Sequence, residues 1–189
     1  KQMTDEETLV RTPLTNMLFH KASIKRIPLS GTFEVTPRCN FDCRMCYIRH
    51  SEAEVKCHER TVQSLEEWKI IADKAVREGM LYLLITGGEP FLWKDFWPLY
   101  EYLKEKGLVI SINTNGSLID GQAVEKFKRS PPCRINITLY GASDETYEKL
   151  CRIRNGFQKV DKAVTLLCEA GIPVKLNCSL TPYNVSDLE

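Results

Sequence analysis

Five short runs of residues typical of buried β-strands recur along the chain, and helical sequence follows each of them. The runs are rich in Ile, Val, Leu, Thr and aromatic side chains, and they cover residues 32–36, 81–86, 108–113, 134–140 and 173–180. Strands that alternate with helices in this way pair in parallel through right-handed crossovers. The order therefore favours an α/β fold, either an open doubly wound sheet or a (β/α) barrel.

Helix-start and helix-stop residues lie between these runs. Ser64, with Glu67 three residues later, forms a capping-box pattern at the start of a predicted helix, and Gly79 ends that helix. Further helices are predicted over residues 95–106, 120–129 and 158–170, with a short one that opens at Ser143. Glycine, proline and polar residues follow the strands, at the carboxyl ends where parallel α/β folds place their functional sites.

Length, charge and hydropathy narrow the class of protein. The 189 residues fit one domain, and the formal net charge of +1 gives no electrostatic footprint for nucleic acid. The longest apolar stretch, residues 80–85, is far shorter than the roughly 20 residues of a membrane span. The first ten residues contain acidic side chains and no apolar segment of a secretory signal, so a cytoplasmic location is expected.

The two ends of the chain suggest its domain organisation. Residues 1–30 are interpreted as an N-terminal extension and residues 31–189 as the core domain. Residues 186–189 are typical of the first turn of a helix, and a helix that began there would leave its apolar face uncovered. We therefore expect the core domain to be incomplete at its C-terminus, with the last βα units missing.

The eight cysteines are unevenly spaced, and three of them lie within eight residues. Cys39, Cys43 and Cys46 follow the first predicted strand with the spacing C-x3-C-x2-C. A tight cysteine cluster in a chain without a secretory signal indicates a metal or redox site in a reducing compartment. The five scattered cysteines are expected to behave as small buried apolar side chains.

Two kinds of metal site fit three close thiolates. A structural zinc site takes four ligands, and His50, Cys57 or His58 could supply the fourth. A four-iron cubane usually has four cysteine ligands, so three of them leave one iron open, as a catalytic site requires. The residues leave both kinds of site open.

A glycine-rich turn follows the second predicted strand. Gly87 and Gly88 permit close approaches of the backbone to a ligand, and their bare peptide groups can hydrogen-bond a small zwitterion. Glu89 supplies a carboxylate suited to an ammonium group, and Pro90 stiffens the turn. This turn and the cysteine triplet are predicted to share one rim of the sheet.

The triplet and the turn, each directly after a strand, resemble the radical S-adenosylmethionine (radical SAM) enzymes. The resemblance extends to Thr114-Asn115-Gly116 and to residues 136–141 (NITLYG) followed by SDETYEKL, and it covers residues 31–182. The Asn115-Gly116 pair and LYGASDETYEKL are similar to the SPASM type, a subgroup that modifies peptides and carries a cysteine-rich C-terminal extension.

This resemblance implies a partial (β/α)6 TIM-like barrel of parallel strands and two cofactors. The three cysteines would bind a 4Fe-4S cluster, and the amino and carboxylate groups of S-adenosylmethionine would chelate its open iron. Glu89 and the backbone of Gly87 and Gly88 would hold the ammonium group. Reductive cleavage of S-adenosylmethionine would yield methionine and a 5′-deoxyadenosyl radical that abstracts hydrogen from a substrate.

Other cofactor contacts follow from the same resemblance. Met45 stands where the family often has an aromatic residue, and its thioether can pack on the adenine, with Tyr47 as an alternative neighbour. Asn115 is expected to contact the ribose or the methionine part of the cofactor. Ser143 is expected to cap the following helix, with a cofactor contact as its second role.

An arginine suits bidentate contact with the carboxylate of the cofactor. Arg152 and Arg154 both follow the fourth predicted strand, where some members of the family place an arginine. Arg154 is included among the candidate cofactor contacts, and Arg152 remains the alternative.

The expected function is that of a radical SAM enzyme acting on a peptide or protein. Its electron donor would be a protein such as flavodoxin or ferredoxin, and no nucleic-acid or membrane partner is expected. The competing interpretation is a non-catalytic module that binds zinc or an iron–sulfur cluster and serves as a scaffold. The metal that the protein retains would separate the two.

Overall fold

A computed structural model describes residues 13–46, 48, 54 and 62–187. These residues contain one sheet of five parallel strands, arranged in the order in which they occur along the chain. The strands are β1 (Ser30–Glu34), β2 (Tyr82–Thr86), β3 (Val109–Thr114), β4 (Arg134–Thr138) and β5 (Val174–Asn177). A doubly wound sheet would reverse its strand order at a switch point, so the sequential order confirms the prediction of an α/β fold with TIM-like parallel strands.

Helices connect the strands and cover one face of the sheet. In the described part of the chain they are α1 (Pro13–Lys25), α2 (Leu65–Arg77), α3 (Phe96–Glu105), α4 (Gly121–Arg129), α5 (Asp144–Cys151) and α6 (Gly156–Glu169). The predicted capping box begins α2, since the Ser64 N–H donates to the Glu67 carboxylate at 2.8 Å and the Glu67 N–H donates to the Ser64 hydroxyl at 3.3 Å. Short 3-10 turns lie at Pro90–Leu92 and Val185–Asp187.

The two faces of the sheet differ in polarity. Ile112 on β3 and Ile135 on β4 are register partners, and both are fully buried among the apolar side chains of the helices. The next pair along the strands, Asn113 and Asn136, points to the opposite face, where the Asn136 amide donates to the Asn113 carbonyl at 2.7 Å. The period of two therefore gives the sheet an apolar outer face and a polar inner face.

A cluster of aromatic rings anchors α3 and α4 to the core. Phe127 on α4 is fully buried, and its ring centroid lies 5.0 Å from that of Trp97 and 5.6 Å from that of Tyr100 on α3. Phe91, in the turn after β2, lies 6.2 Å from Phe127 and 4.4 Å from Phe96. The packing of these helices therefore also fixes the segment that follows the glycine-rich turn.

All five strands differ from their predicted bounds by one to three residues, and β1 and β5 differ most. β1 begins at Ser30 and ends at Glu34, so the predicted residues 35–36 already belong to the loop that approaches β2. β5 ends at Asn177 rather than at residue 180. The Asn184 side chain explains this early end, because it donates to the Ser179 carbonyl at 2.9 Å and accepts from the Thr181 N–H at 2.7 Å, which turns the chain away from the sheet.

The region before β1 contains a helix that the sequence patterns did not predict. α1 covers Pro13–Lys25, and its Phe19 ring stacks on Tyr82 of β2 with centroids 5.6 Å apart. The division into an extension over residues 1–30 and a core over residues 31–189 stays a prediction. Among the described residues, every helix is too short or too polar to cross a membrane.

Removal of the Phe127 ring should destabilise the fold strongly. The Phe127→Ala substitution leaves a cavity in the fully buried aromatic cluster, so we expect a loss of about 3–5 kcal/mol in the free energy of unfolding, measured by urea denaturation. Leu14→Ala on α1, where the leucine is 68% exposed, is the matched control and should change stability little. Equal losses in the two variants would contradict this account of the core.

Candidate active site

The exits of the first three strands converge at the carboxyl edge of the sheet. The chain leaves β1 toward Cys39, leaves β2 into the turn Gly87-Gly88-Glu89-Pro90, and leaves β3 through Thr114 into Asn115. Parallel pairing of β1 with β2 and of β2 with β3 brings these three segments together. The predicted common rim is therefore present.

The two glycines of the turn pack against the segment that leads to Cys39. Gly88 N–H donates to the Thr36 carbonyl and Glu89 N–H donates to the Arg38 carbonyl, both at 2.7 Å. A Cβ atom on Gly88 would overlap the Arg38 carbonyl, and Gly87 has a φ of +151° with its missing Cβ facing Thr36. Glycine is thus required by a close approach of the chain to itself, whereas the sequence had suggested a close approach to a ligand.

These bonds decide which backbone groups are left for a ligand. The N–H groups of Gly88 and Glu89 are committed to the exit of β1. Within the described residues, no hydrogen bond is donated to the carbonyl oxygens of Gly87 and Gly88. Carbonyl oxygens accept hydrogen bonds, so this turn suits an amino group rather than an anion.

The Glu89 side chain is fully buried and joins the exits of β2 and β3. Its carboxylate accepts from the Thr114 hydroxyl at 2.8 Å, from the Asn115 N–H at 2.8 Å and from the Phe91 N–H at 3.2 Å. The sequence predicted a carboxylate that faces an ammonium group, and Thr114 was not recognised as its partner. In the structure the carboxylate contacts the protein's own donors, and its contact with an ammonium group stays a prediction.

Burial also shifts the protonation of this carboxyl group. Desolvation raises the pKa of Glu89 from 4.5 to about 7, and the hydrogen bonds from Asn115, Thr114 and Phe91 offset only part of that rise. Near neutral pH the protonated form is therefore much more populated than it is for an exposed glutamate. A cation bound nearby would favour its charged form.

Asn115 links the end of β3 to the cysteine loop. Its side-chain amide donates to the side-chain oxygen Oδ1 of Asn40 at 2.8 Å and to the Cys39 sulfur at 3.8 Å. Its own carbonyl oxygen accepts from the Ser117 N–H at 2.9 Å, which fixes the side-chain orientation. The predicted contact of Asn115 with the ribose or methionine part of the cofactor stays a prediction.

The three clustered cysteines differ in exposure. Cys39 is exposed, Cys46 is half-buried and Cys43 is buried. The Cys39 sulfur accepts from the Phe41 N–H at 3.4 Å, and desolvation of that sulfur raises the pKa of the thiol to about 11. Metal binding to Cys39 must therefore displace a proton.

Cys43 lies against two side chains from distant parts of the chain. The pKa of its thiol is lowered, because hydrogen bonds to its sulfur from the side chains of Cys151 and Tyr140 outweigh the effect of burial. The pKa of Cys151 is raised, mainly by the same hydrogen bond and then by desolvation. The direction of this shift favours the thiolate form of Cys43.

Soft thiolate ligands at the cysteine loop suit an iron–sulfur cluster. Among the described residues, no three His, Cys, Asp or Glu side chains are placed to hold one metal ion. In a cubane each thiolate binds a different iron, so three ligands need not converge on one point. His50, Cys57 and His58, the possible fourth zinc ligands, lie outside the described residues.

The two candidate arginines have different surroundings. Arg152, in left-handed conformation at the end of α5, forms an ion pair with Asp42 in the cysteine loop at 2.8 Å. Arg154 is exposed, and its side chain forms no hydrogen bond or ion pair with the described part of the chain. The structure therefore brings Arg152 to the site, and the predicted role of Arg154 lacks a supporting contact.

A cavity of about 440 Å³ adjoins the cysteine loop. Met45 and Arg152 line it, together with Leu180 and Thr181 from the segment after β5. A volume of this size is within the range of ligand pockets. Met45 is half-buried beside this space, whereas Tyr47 lies outside the described residues.

Ser143 caps α5, as predicted. Its hydroxyl accepts from the Thr146 N–H at 3.2 Å and lies 3.2 Å from the Asp187 carboxylate. Its second predicted role, a cofactor contact, stays a prediction.

Of the scattered cysteines, Cys151 is buried as expected, but Cys168 and Cys178 are exposed because they lie on the outer side of α6 and after the end of β5.

The raised pKa of Glu89 predicts a pH-dependent contribution to stability. Between pH 4.5 and about 7 the unfolded chain loses this proton while the folded protein keeps it, so stability falls as pH rises through that window. We expect the free energy of unfolding of the metal-free protein, relative to Glu89→Gln, to fall by up to about 3 kcal/mol from pH 4.5 to 8. Urea denaturation under anaerobic, reducing conditions measures it.

Glu125→Gln is the control for this measurement. Lys128 lowers the pKa of Glu125 on the exposed side of α4, so the contribution of Glu125 is present at higher pH and is lost as pH falls. The free energy of unfolding of the wild type, relative to that of Glu125→Gln, should therefore rise with pH, which is the opposite sign. If the free energy of unfolding of the wild type, relative to that of Glu89→Gln, stays constant or rises with pH, burial does not raise the pKa of Glu89.

Comparisons with known sequences identify the family of this chain. A sequence model of the Radical SAM superfamily matches residues 33–189. The chain is 31% identical over 156 residues to the Fe-coproporphyrin III synthase of Methanosarcina barkeri, covering 82% of this chain and 38% of that protein. It is 29% identical over 163 residues to the antilisterial bacteriocin subtilosin biosynthesis protein AlbA of Bacillus subtilis, covering 86% of this chain and 35% of that protein.

A solved structure has the same fold. Streptococcus suis SuiB bound to the precursor peptide SuiA superposes with a TM-score of 0.70 and 22% sequence identity, covering 100% of this chain and 42% of that one. The chain thus spans about two-fifths of the length of these similar proteins. Because the family model matches most of the chain, and the cysteine loop and glycine turn meet at one rim, the protein belongs to the radical SAM superfamily, whose cofactors are a 4Fe-4S cluster and S-adenosylmethionine.

Proposed function

We propose that this chain is the core of a radical SAM enzyme that modifies a peptide or protein. The observation that carries the enzymatic part is the direct connection between the cysteine loop and the glycine turn. The Glu89 N–H donates at 2.7 Å to the carbonyl of Arg38, the residue before Cys39. The Asn115 side-chain amide donates to the Cys39 sulfur at 3.8 Å. A cluster on the cysteines would therefore stand beside the carbonyl groups of the turn.

The proposed roles follow from the chemistry of each group. Cys39, Cys43 and Cys46 hold the cluster, since three soft thiolates suit iron–sulfur binding and leave one iron open. The chemistry that the two cofactors supply when bound is reductive cleavage of S-adenosylmethionine to a 5′-deoxyadenosyl radical, which takes a hydrogen atom from the substrate. The Gly87 and Gly88 carbonyls accept hydrogen bonds from the amino group of S-adenosylmethionine.

The buried carboxylate acts behind that turn. Glu89 holds Asn115 and Phe91 through their N–H groups, which fixes the orientation of the turn before the cofactor arrives. Its negative charge also complements a positively charged amino group on the other side of the glycines. Pro90 begins the 3-10 turn that follows and is buried, so the turn is anchored at both ends.

The cavity beside the cysteine loop suits the remaining parts of the cofactor. Met45 offers a thioether to the face of the adenine, and Leu180 offers an apolar side chain opposite it. Arg152 lies at the same cavity, where its guanidinium can exchange the Asp42 carboxylate for that of S-adenosylmethionine.

A peptide or protein substrate is supported by two similar proteins. AlbA is named for bacteriocin biosynthesis, and SuiB was crystallised with a precursor peptide. The similarity to Fe-coproporphyrin III synthase supports a second candidate, an iron porphyrin. Flavodoxin or ferredoxin is proposed as the electron donor.

The substrate class can be tested by deuterium transfer. The longest native form of the protein is reconstituted with iron and sulfide without oxygen and supplied with dithionite, S-adenosylmethionine and peptides from cells grown in deuterated medium. A peptide substrate should place deuterium in 5′-deoxyadenosine, detected by mass spectrometry. Transfer from deuterated Fe-coproporphyrin III instead would overturn the peptide proposal.

Cluster binding should depend on Cys43 and not on cysteines elsewhere. The wild-type protein should bind about four irons per chain and release 5′-deoxyadenosine from S-adenosylmethionine after reduction. Cys43→Ala should lose most of the iron and all detectable nucleoside, because two thiolates do not hold a cubane. Cys133→Ala, a half-buried cysteine outside the loop, is the control and should match the wild type in both measurements.

Other results would decide against the enzymatic proposal. Iron binding without any 5′-deoxyadenosine in the wild-type protein would remove the catalytic role. One tightly held zinc ion in protein purified without reconstitution would instead favour the scaffold interpretation.

The two arginines form a matched pair for a binding experiment. Arg152→Ala should weaken the binding of S-adenosylmethionine to the reconstituted protein by about tenfold or more, since a charge-assisted contact contributes about 1.5–3 kcal/mol. Arg154→Ala should leave binding unchanged because its side chain is exposed and lacks a partner among the described residues. Isothermal titration calorimetry measures both, and the reverse result would assign the carboxylate to Arg154.

A further inference from the structure

The polar inner face of the sheet is open toward its carboxyl edge in the described part of the chain. The strand residues on this face are half-buried or exposed, except Asn136 on β4, which is 8% exposed. At the amino end of the face, the Phe19 ring of α1 stacks on Tyr82 of β2. A ligand would therefore approach this face from the carboxyl edge, where the cysteine loop and the glycine turn meet.

Asn113 and Asn136 lie side by side on this face. They are register partners on β3 and β4. β4 ends at Thr138, two residues after Asn136, which places the pair about 7 Å below the carboxyl edge. Asn115 follows Asn113 by two residues and contacts the Cys39 sulfur at 3.8 Å. The pair therefore lies just below the candidate active site, where a substrate must bind to meet a radical formed there.

One hydrogen bond joins the two amides and leaves other groups unused. The Asn136 amide donates to the Asn113 side-chain oxygen at 2.7 Å. Oδ1 of Asn136 is buried and accepts no hydrogen bond from the described residues, and Nδ2 of Asn113 donates none to them. A half-turn of both amides exchanges their roles but again leaves one acceptor and one donor.

A second unpaired polar atom lies on the same face of β4. Nε of Arg134, two residues before Asn136, is buried and has no acceptor among the described residues. In the part of the chain that the structure describes, the third such buried atom is Nε1 of Trp68, far along the chain on α2. Buried polar groups in proteins are nearly always hydrogen-bonded. Two unpaired atoms together on an open face therefore indicate the place of a polar ligand group.

An amide group has the two functions that this place lacks. Its N–H can donate to Oδ1 of Asn136, and its carbonyl oxygen, with two lone pairs, can accept from Nδ2 of Asn113 and Nε of Arg134. A carboxylate only accepts, so it would leave the Asn136 oxygen without a donor, which is unfavourable for a buried group. Rotation of the Asn136 side chain, a common response to binding, would turn its oxygen toward the open side.

We infer that Asn113 and Asn136 are specificity-determining residues that bind an amide group of the substrate. The amide belongs either to the main chain of a peptide or to an Asn or Gln side chain. This inference rests on the proposed function and deepens it, because it names the chemical group that the site recognises. It favours a peptide over an iron porphyrin, whose carboxylate side chains offer no donor to Asn136.

The test measures how much hydrogen in 5′-deoxyadenosine comes from a peptide. The longest native form of the protein and its variants are reconstituted and supplied with peptides from cells grown in deuterated medium, at a concentration that half-saturates the wild type. Mass spectrometry gives the deuterated fraction of the nucleoside, which corrects for the amount of cofactor cleaved. Asn136→Leu and Asn113→Leu should each lower this fraction by about tenfold, since each leaves the substrate amide with an unpaired group.

Three controls separate substrate binding from a structural role. Asn136→Asp should keep most of the deuterated fraction, because one carboxylate oxygen can accept from Asn113 while the other accepts from the substrate. Asn16→Leu, the same change at an exposed position on α1, should match the wild type. A tenfold higher peptide concentration should restore most of the fraction in Asn113→Leu, which a loss of structure would not allow.

A second arm identifies the source of the amide. Mild acid treatment of the peptides converts Asn and Gln to Asp and Glu. Continued deuterium transfer from the treated peptides to the wild type would assign a main-chain peptide group to the site. Loss of transfer after the treatment would assign a side-chain amide.

The outcomes that contradict the inference differ from those that contradict the proposed function. An unchanged deuterated fraction in both leucine variants, each with about four irons per chain, would overturn the inference and leave the proposed function intact. If Asn136→Leu does not fold, Asn113→Leu decides, because its side chain is only half-buried. A wild-type protein that takes no deuterium from any peptide would instead refute the proposed peptide substrate.

Discussion

The buried carboxylate of Glu89 is the contact on which the candidate site depends. It accepts hydrogen bonds from the exit of β3 and from the turn after β2, and its own N–H donates to the exit of β1. Three strands are thereby fixed to one another at the edge where their loops begin. Together with the bonds from Gly88 to Thr36 and from Asn115 to Asn40, these contacts hold the glycine turn beside the segment that leads to the cysteines.

This arrangement has an energetic cost and a structural benefit. A carboxylate in an apolar environment is costly to ionise, which is why the pKa of Glu89 rises to about 7 despite its hydrogen bonds. The benefit is a turn whose N–H groups are already used, so that the glycine carbonyls present acceptors of fixed orientation. Preorganised polar groups need little rearrangement when a ligand binds.

The cysteine loop is organised in a comparable way from the opposite side. Its backbone is bonded to the end of α5, its Asp42 pairs with Arg152, and its Asn40 is bonded to Asn115. Phe41 and Cys43 anchor the loop in the core, and the polar contacts join it to α5 and β3.

Local patterns in the sequence were sufficient for the fold class and for the cysteines and glycines of the site. The apolar and β-branched composition of the strands, the capping box at Ser64 and the spacing C-x3-C-x2-C are all set within a few residues, and each has a direct physical meaning. The resemblance to radical SAM enzymes rested on such local motifs. Family membership is confirmed by the match over residues 33–189.

Contacts between distant residues could not be predicted in this way. Thr114 lies 25 residues from Glu89, and Arg152 lies 110 residues from Asp42, so no periodicity connects them. The sequence by itself determined which residues could bind iron and which turn could accept an amino group. Only the tertiary structure decided that Glu89 is buried, that Arg152 reaches the loop, and that Cys43 is buried beside the end of α5. Those facts depend on which strand exits and helix ends the sheet brings together.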